Sequence, residues 1–195
     1  MLNRARRSLA QPVSEVAGKI LARTPLTPNL LTVIGFLLAV VVAWVLATGH
    51  LFLGGFLVLL SGVFDILDGA LARATGRTTR FGGLLDSTLD RFSEAVIFLG
   101  LLAFYVGGGS YQESLLVCAA LIGSMMTSYV RARAEGLGLK CEVGVFTRPE
   151  RVILLAIGLI ANQMLVILWI VAVLSNVIAV QRIFHVWQQT RAMEE

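Results

Sequence analysis

Four aspartates, Asp65, Asp68, Asp86 and Asp90, stand between two strongly apolar segments, and the stretch they bound also holds Arg73, Arg77, Arg80, Gly69, Gly76, Gly82 and Gly83. Within each pair the spacing is three or four residues, and residues so spaced on a helix share a face, with Cβ atoms roughly 5–6 Å apart. Asp65 and Asp68 therefore project together from the end of one helix, and Asp86 and Asp90 from the start of the next. A turn over residues 76–83 brings the two pairs face to face. Four carboxylates that close cannot all stay ionised without a counter-charge. An all-oxygen donor set suits Mg²⁺, Mn²⁺ or Ca²⁺, and Mg²⁺ is usually held by a few carboxylates together with substrate phosphates. Zinc and copper are disfavoured because His50, His185, Cys118 and Cys141 are all remote in sequence.

The pattern Asp65-x2-Asp68-Gly69-x2-Ala72-Arg73-x8-Gly82-x3-Asp86-x3-Asp90 resembles the signature of the CDP-alcohol phosphotransferases. Those are integral membrane enzymes in which a hydroxyl acceptor displaces CMP from a CDP-linked lipid or alcohol. The resemblance implies Asp65, Asp68 and Asp86 as metal ligands, with Asp90 both a ligand and the general base. It implies Mg²⁺ as the metal, with Mn²⁺ the alternative. Gly69 and Gly82 would admit the cytidine part where a Cβ would intrude, and Arg73 and Thr79 would contact the diphosphate or the nucleotide. The strip Pro28, Asn29, Leu30 and Leu31, running to Thr32, resembles the family's additional nucleotide-binding segment. Ordinary helix capping is the competing reading for Thr79 and Asn29. The resemblance also implies a homodimer, and no nucleic-acid partner is expected.

Phosphoryl transfer needs positioning, neutralisation of developing charge and a carboxylate to take the proton of the attacking hydroxyl. With no Ser-His or Cys-His pair in view, direct displacement is favoured, and an aspartyl adduct stays open as the alternative.

The elements that must position these groups follow from composition. The 195 residues are 57% hydrophobic and only 14% charged, with a mean hydropathy of +0.83, whereas ordinary globular chains carry about 25% charged residues. The fold class expected is all-α: one polytopic membrane domain over residues 25–190, preceded by an amphipathic juxtamembrane helix over residues 1–24. In that leader Leu9, Val13, Val16 and Ile20 draw one apolar stripe among basic and polar residues, the pattern of a helix lying in the membrane interface. Pro25 and Pro28 end it. Spans are expected over residues 30–47 and 51–67, from near Gly83 to Val106, over residues 115–130, from the S/T-x-x-E capping pattern at Thr147–Glu150, and beyond a break at Asn162-Gln163. The two cysteines form no disulfide framework.

With six spans, all sixteen Lys and Arg residues fall on the side shared by both termini, and the opposite loops hold none. The positive-inside rule makes that side cytoplasmic, so a multi-pass cell-membrane protein with a cytoplasmic active site is expected.

A second basic cluster bears on the acceptor. Arg131 and Arg133 end the fourth span and Arg148 and Arg151 begin the fifth; together they would make a cationic pocket suited to an acceptor that itself carries phosphate. The runs SYVRARAEGLG and RPER resemble the branch of the family that makes phosphatidylinositol phosphate from inositol phosphate. The donor would be CDP-diacylglycerol or a CDP-linked ether lipid, and the acceptor a phosphorylated polyol. Glycerol 3-phosphate, the acceptor of phosphatidylglycerophosphate synthases, is the rival, and plain anchoring of helix ends at anionic lipid is the other reading of these arginines. A small cation transporter is the alternative class, since acidic residues within spans can line an ion path; it leaves Gly69, Ala72, Arg73 and Gly82 at their offsets unexplained.

Overall fold

The computed structural model describes residues 16–194, and within them only helices, turns and loops occur. Residues 1–15, with Arg4, Arg6, Arg7, Leu9 and Val13 of the leader, lie outside the described residues. Residues 16–21 are helical, and Gly18 sits so close to Ala70 and Ala74 that a Cβ there would meet the Ala70 carbonyl oxygen at 2.6 Å.

Six long helices follow: α1 (Pro28–Ala47), α2 (Leu51–Thr75), α3 (Arg80–Gly107), α4 (Tyr111–Gly136), α5 (Arg148–Ile160) and α6 (Met164–Glu194). Their boundaries are written locally. Thr27 caps α1, its hydroxyl accepting the Leu30 amide at 3.3 Å, with Pro28 in the first turn, where its missing N–H costs nothing. Gly76 ends α2 in the left-handed region at φ 64°, and the Arg77 amide reaches back to the Ala72 carbonyl, as in a Schellman close. The next helix starts at Arg80, a little earlier than the Gly83 expected, because the Thr79 hydroxyl accepts the Gly82 amide at 2.9 Å and caps the turn there. At Thr147 the backbone N–H donates to Glu150 Oε2 at 2.8 Å, fixing the start of α5. Asn162 adopts φ 54° between α5 and α6, a conformation asparagine tolerates better than most residues.

The helices neighbour one another in a closed ring, α1, α2, α5, α6, α4, α3 and back to α1. Inside it Val42, Leu46, Val58, Phe98, Leu101, Val117, Leu155, Leu168 and Val171 form one continuous core. The α1 and α3 backbones approach closely at Gly100, where a Cβ would overlap the Ala43 carbonyl. The outer faces are as apolar as the inner: Trp44 is 68% exposed and Phe52 61%. Water would penalise so much apolar surface, whereas lipid accommodates it.

Four helices, Pro28–Ala47, Leu51–Thr75, Tyr111–Gly136 and Met164–Met193, are long and apolar enough to cross a membrane. The remaining two differ for clear reasons. In α3 Asp86, Asp90, Arg91 and Glu94 charge the first half, and α5 has 13 residues, about 20 Å of helix against a hydrocarbon core of roughly 30 Å. The chain is thus an all-helical membrane protein.

Candidate active site

The C-terminal turns of α2 and the first turns of α3 deliver the four aspartates to one end of the ring. Hydrogen bonds and ion pairs bring the N-termini of α1 and α5 to that same end. Thr32 on α1 donates its hydroxyl to Asp68 Oδ2 at 2.7 Å, and Asp68 Oδ1 accepts the Gly69 amide at 2.5 Å. Asp68 is 4% exposed, so these two donors matter: a buried carboxylate is tolerated when its oxygens are satisfied.

Asp65 and Asp90 are held differently. Arg148, from the first turn of α5, places Nη1 2.5 Å from Asp65 Oδ2 and 2.7 Å from Asp90 Oδ1. Asp86 also lies within electrostatic reach of Arg148 and Arg91, and the Arg91 guanidinium bonds the Ser87 carbonyl. One turn beyond Asp90, Glu94 takes a two-pronged bond from Arg151, Nε to Oε1 at 2.6 Å and Nη2 to Oε2 at 2.9 Å, with both side chains essentially out of solvent.

A cleft of about 180 Å³ opens beside Asp68 and Asp86. Of the residues expected to bind the donor, Pro28, Asn29, Gly69, Arg73, Thr79 and Gly82 line it. Leu30 instead faces outward and Leu31 is buried at 3% exposure. The glycines are where space is shortest. A Cβ on Gly82 would stand 2.9 Å from Thr79 Oγ1 and 3.1 Å from Asn29 Oδ1, and one on Gly69 would stand 3.2 Å from Arg73 Nη1. Thr79 thus serves as a helix cap and a wall of the cleft at once.

The four arginines expected around an acceptor are brought to this end of the ring in different states. Arg148 and Arg151 are engaged as described. Arg131 pairs with Glu135 at 2.8 Å on the exposed face of α4, and Arg133 is exposed there too. Sequence reading passed over two side chains that build this end, Glu94 and Arg182, while Thr32, the end of the expected nucleotide strip, does line the cleft. Arg182 is buried in α6, donating to the Thr127 carbonyl at 2.5 Å and the Val143 carbonyl at 3.0 Å, and so ties the 137–147 connection to α4 and α6; Arg131 and Arg151 are in its electrostatic neighbourhood. Glu94 carried a signal, being four residues beyond Asp90 and so on the same face.

The donor set passes a chemical test for a hard divalent cation: four carboxylates on two consecutive helices, with no nitrogen or sulfur donor among them. In the present arrangement no three His, Cys, Asp or Glu groups among the described residues are grouped as an ion would need, and Asp65 and Asp90 are paired with Arg148.

Known proteins resemble this chain along almost its whole length. Residues 25–188 match the model of the family described as CDP-alcohol phosphatidyltransferase. The archaetidylinositol phosphate synthase of Methanothermobacter thermautotrophicus is 37% identical over 98% of this chain and 96% of its own. The phosphatidylinositol phosphate synthase of Mycobacteroides abscessus is 39% identical over 97% of this chain and 90% of its own. Among solved structures, the phosphatidylinositol phosphate synthase of Mycobacterium tuberculosis with CDP-DAG bound superposes with a TM-score of 0.82 at 34% identity, covering 90% of this chain and 94% of that one. The same enzyme has been solved in complex with manganese and citrate, again with a TM-score of 0.82.

Proposed function

The chain belongs to the CDP-alcohol phosphatidyltransferase family, and from that premise we propose that it transfers the phosphatidyl group of a CDP-linked lipid to a hydroxyl of inositol 1-phosphate, releasing CMP and forming phosphatidylinositol phosphate. The observation that carries the proposal is the split of the aspartates. Asp68 and Asp86 line the cleft that also holds Pro28, Asn29, Gly69, Arg73, Thr79 and Gly82, while Asp65 and Asp90 are paired with Arg148.

A bound divalent cation, Mg²⁺ or Mn²⁺, would be held by Asp65, Asp68, Asp86 and Asp90 and would neutralise charge on the diphosphate. The chain's own groups do the rest. Arg73 supplies a guanidinium at the diphosphate, and Gly69 and Gly82 leave room for the cytidine. Thr32 and the Gly69 amide hold Asp68 in one rotamer. Asp90 takes the proton from the acceptor hydroxyl as its oxygen attacks the lipid-bearing phosphorus, and the bond from that phosphorus to the CMP oxygen breaks. Arg131, Arg133 and Arg148 are the arginines left to meet the acceptor's phosphate, since Glu94 takes up Arg151.

The membrane arrangement we propose has six crossings, with residues 1–24 as an interfacial leader ahead of a catalytic unit over residues 25–190. α3 crosses through its apolar second half, and the short α5 is completed by the head-group region. Both termini and the site then face the cytoplasm, the side that carries all the Lys and Arg residues. The functional unit is a homodimer. Glycerol 3-phosphate is the competing acceptor.

Binding of CDP by the purified protein tests the class of function. Binding that requires Mg²⁺ or Mn²⁺ supports the transferase. Ion flux through proteoliposomes without CDP binding would instead support a cation path.

A further inference from the structure

We infer that Arg148 is a positioning residue of the aspartate cluster that stands in for the divalent cation and surrenders Asp65 and Asp90 when the cation binds. The inference rests on the metal site proposed above and adds to it the group that occupies it beforehand.

Two arginines one turn apart on α5 meet carboxylates one turn apart on α3, and they do so in opposite styles. Arg151 is closed: two of its nitrogens meet the two oxygens of Glu94, and its side chain is 2% exposed. Arg148 is open: one nitrogen, Nη1, serves both Asp65 and Asp90, its Nε is buried with no partner, and the side chain keeps 19% exposure. A guanidinium carries five donors in a planar fork, so the Arg148 contact uses the group as a charge rather than as a fitted clamp.

That charge bridges carboxylates of two different helices, the role a cation would take. A divalent ion and a guanidinium a few ångströms apart repel each other strongly in a partly buried setting. The two therefore compete for the same oxygens. The Arg151–Glu94 pair anchors the first turns of α5 against α3, so Arg148 can leave by rotation of its own side chain. Once released it is a free guanidinium beside the cleft, suited to a phosphate oxygen. Metal loading would thereby prepare the site for its anionic substrate.

The test is equilibrium Mn²⁺ binding to the purified full-length protein in detergent, without nucleotide or lipid substrate. It compares wild type, Arg148→Gln and Arg148→Lys, each also unfolded thermally in EDTA and in excess Mn²⁺. Arg148→Gln is expected to bind Mn²⁺ about tenfold more tightly, within the ordinary range of couplings between competing ligands. In EDTA it should unfold below wild type, and excess Mn²⁺ should close the gap. Arg148→Lys, whose compact ammonium has less reach, should fall between the two. Equal or weaker Mn²⁺ binding by a folded Arg148→Gln overturns the inference, and if that variant does not fold, an Arg148→Lys affinity no higher than wild type does the same. Absence of Mn²⁺ binding by wild type would overturn the metal reading beneath it, an outcome distinct from equal binding.

Discussion

Glu94 and Arg151 form a buried two-pronged ion pair between α3 and α5, with separations of 2.6 and 2.9 Å. Glu94 is one turn from Asp90 and Arg151 one turn from Arg148, so the pair sets the register in which Asp90 meets Arg148. Removing one partner leaves an uncompensated charge in a site closed to water, a loss of about 3–5 kcal/mol. Arg151→Ala should therefore lower the thermal midpoint markedly. The double change Glu94→Leu with Arg151→Met should recover most of that stability. A double variant no better than Arg151→Ala would contradict the pairing.

Thr32 reaches from α1 to Asp68 Oδ2 at 2.7 Å. Thr32→Val keeps the shape and removes the donor. Outer partners of metal-binding carboxylates commonly change metal affinity or activity by about 10–100-fold. A drop of that order in Mn²⁺ affinity, read by titration, is expected with little change in thermal stability. Unaltered affinity would show that Asp68 does not depend on Thr32.

Gly82 is hemmed by Thr79 Oγ1 and Asn29 Oδ1 at 2.9 and 3.1 Å from where a Cβ would stand. In Gly82→Ala the cap and the α1 terminus must shift, narrowing the donor cleft. The KM for CDP-lipid should rise several-fold while that for the acceptor moves little. Equal changes in both would place the effect outside the donor cleft.

Asp90→Asn should reduce turnover by about 10²–10⁴-fold, the usual weight of a positioned general base, while metal-dependent binding of the CDP-lipid persists. Retained turnover would remove Asp90 from the proton-transfer role.

Arg133 stands exposed at the end of α4. Arg133→Ala should raise the acceptor's KM more than the donor's, read from initial rates with each substrate varied in turn. A shift confined to the donor would reassign that arginine.

Much of this was legible in the sequence because it is local. The aspartate spacing, the stop at Gly76, the start at Thr147 and the break at Asn162 each depend on residues within a turn or two. The partners of Arg151 and Asp68 were not, since Glu94 and Thr32 lie 57 and 36 residues away and only the ring of helices joins them. Arg151 read as one more member of a surface cluster because nothing local says that Glu94 will absorb it. Arg182 was hidden inside an apolar run, where its bonds to the Thr127 and Val143 carbonyls have no sequence signature.

The central claim is tested most directly by CMP release from CDP-diacylglycerol by the purified protein with Mg²⁺ or Mn²⁺, offered inositol 1-phosphate, glycerol 3-phosphate, free inositol and serine in parallel. Release with inositol 1-phosphate alone is the predicted result. Release with glycerol 3-phosphate alone would contradict the acceptor assignment, and no release with any of them, from diacylglycerol or ether-lipid donors, would contradict the reaction itself.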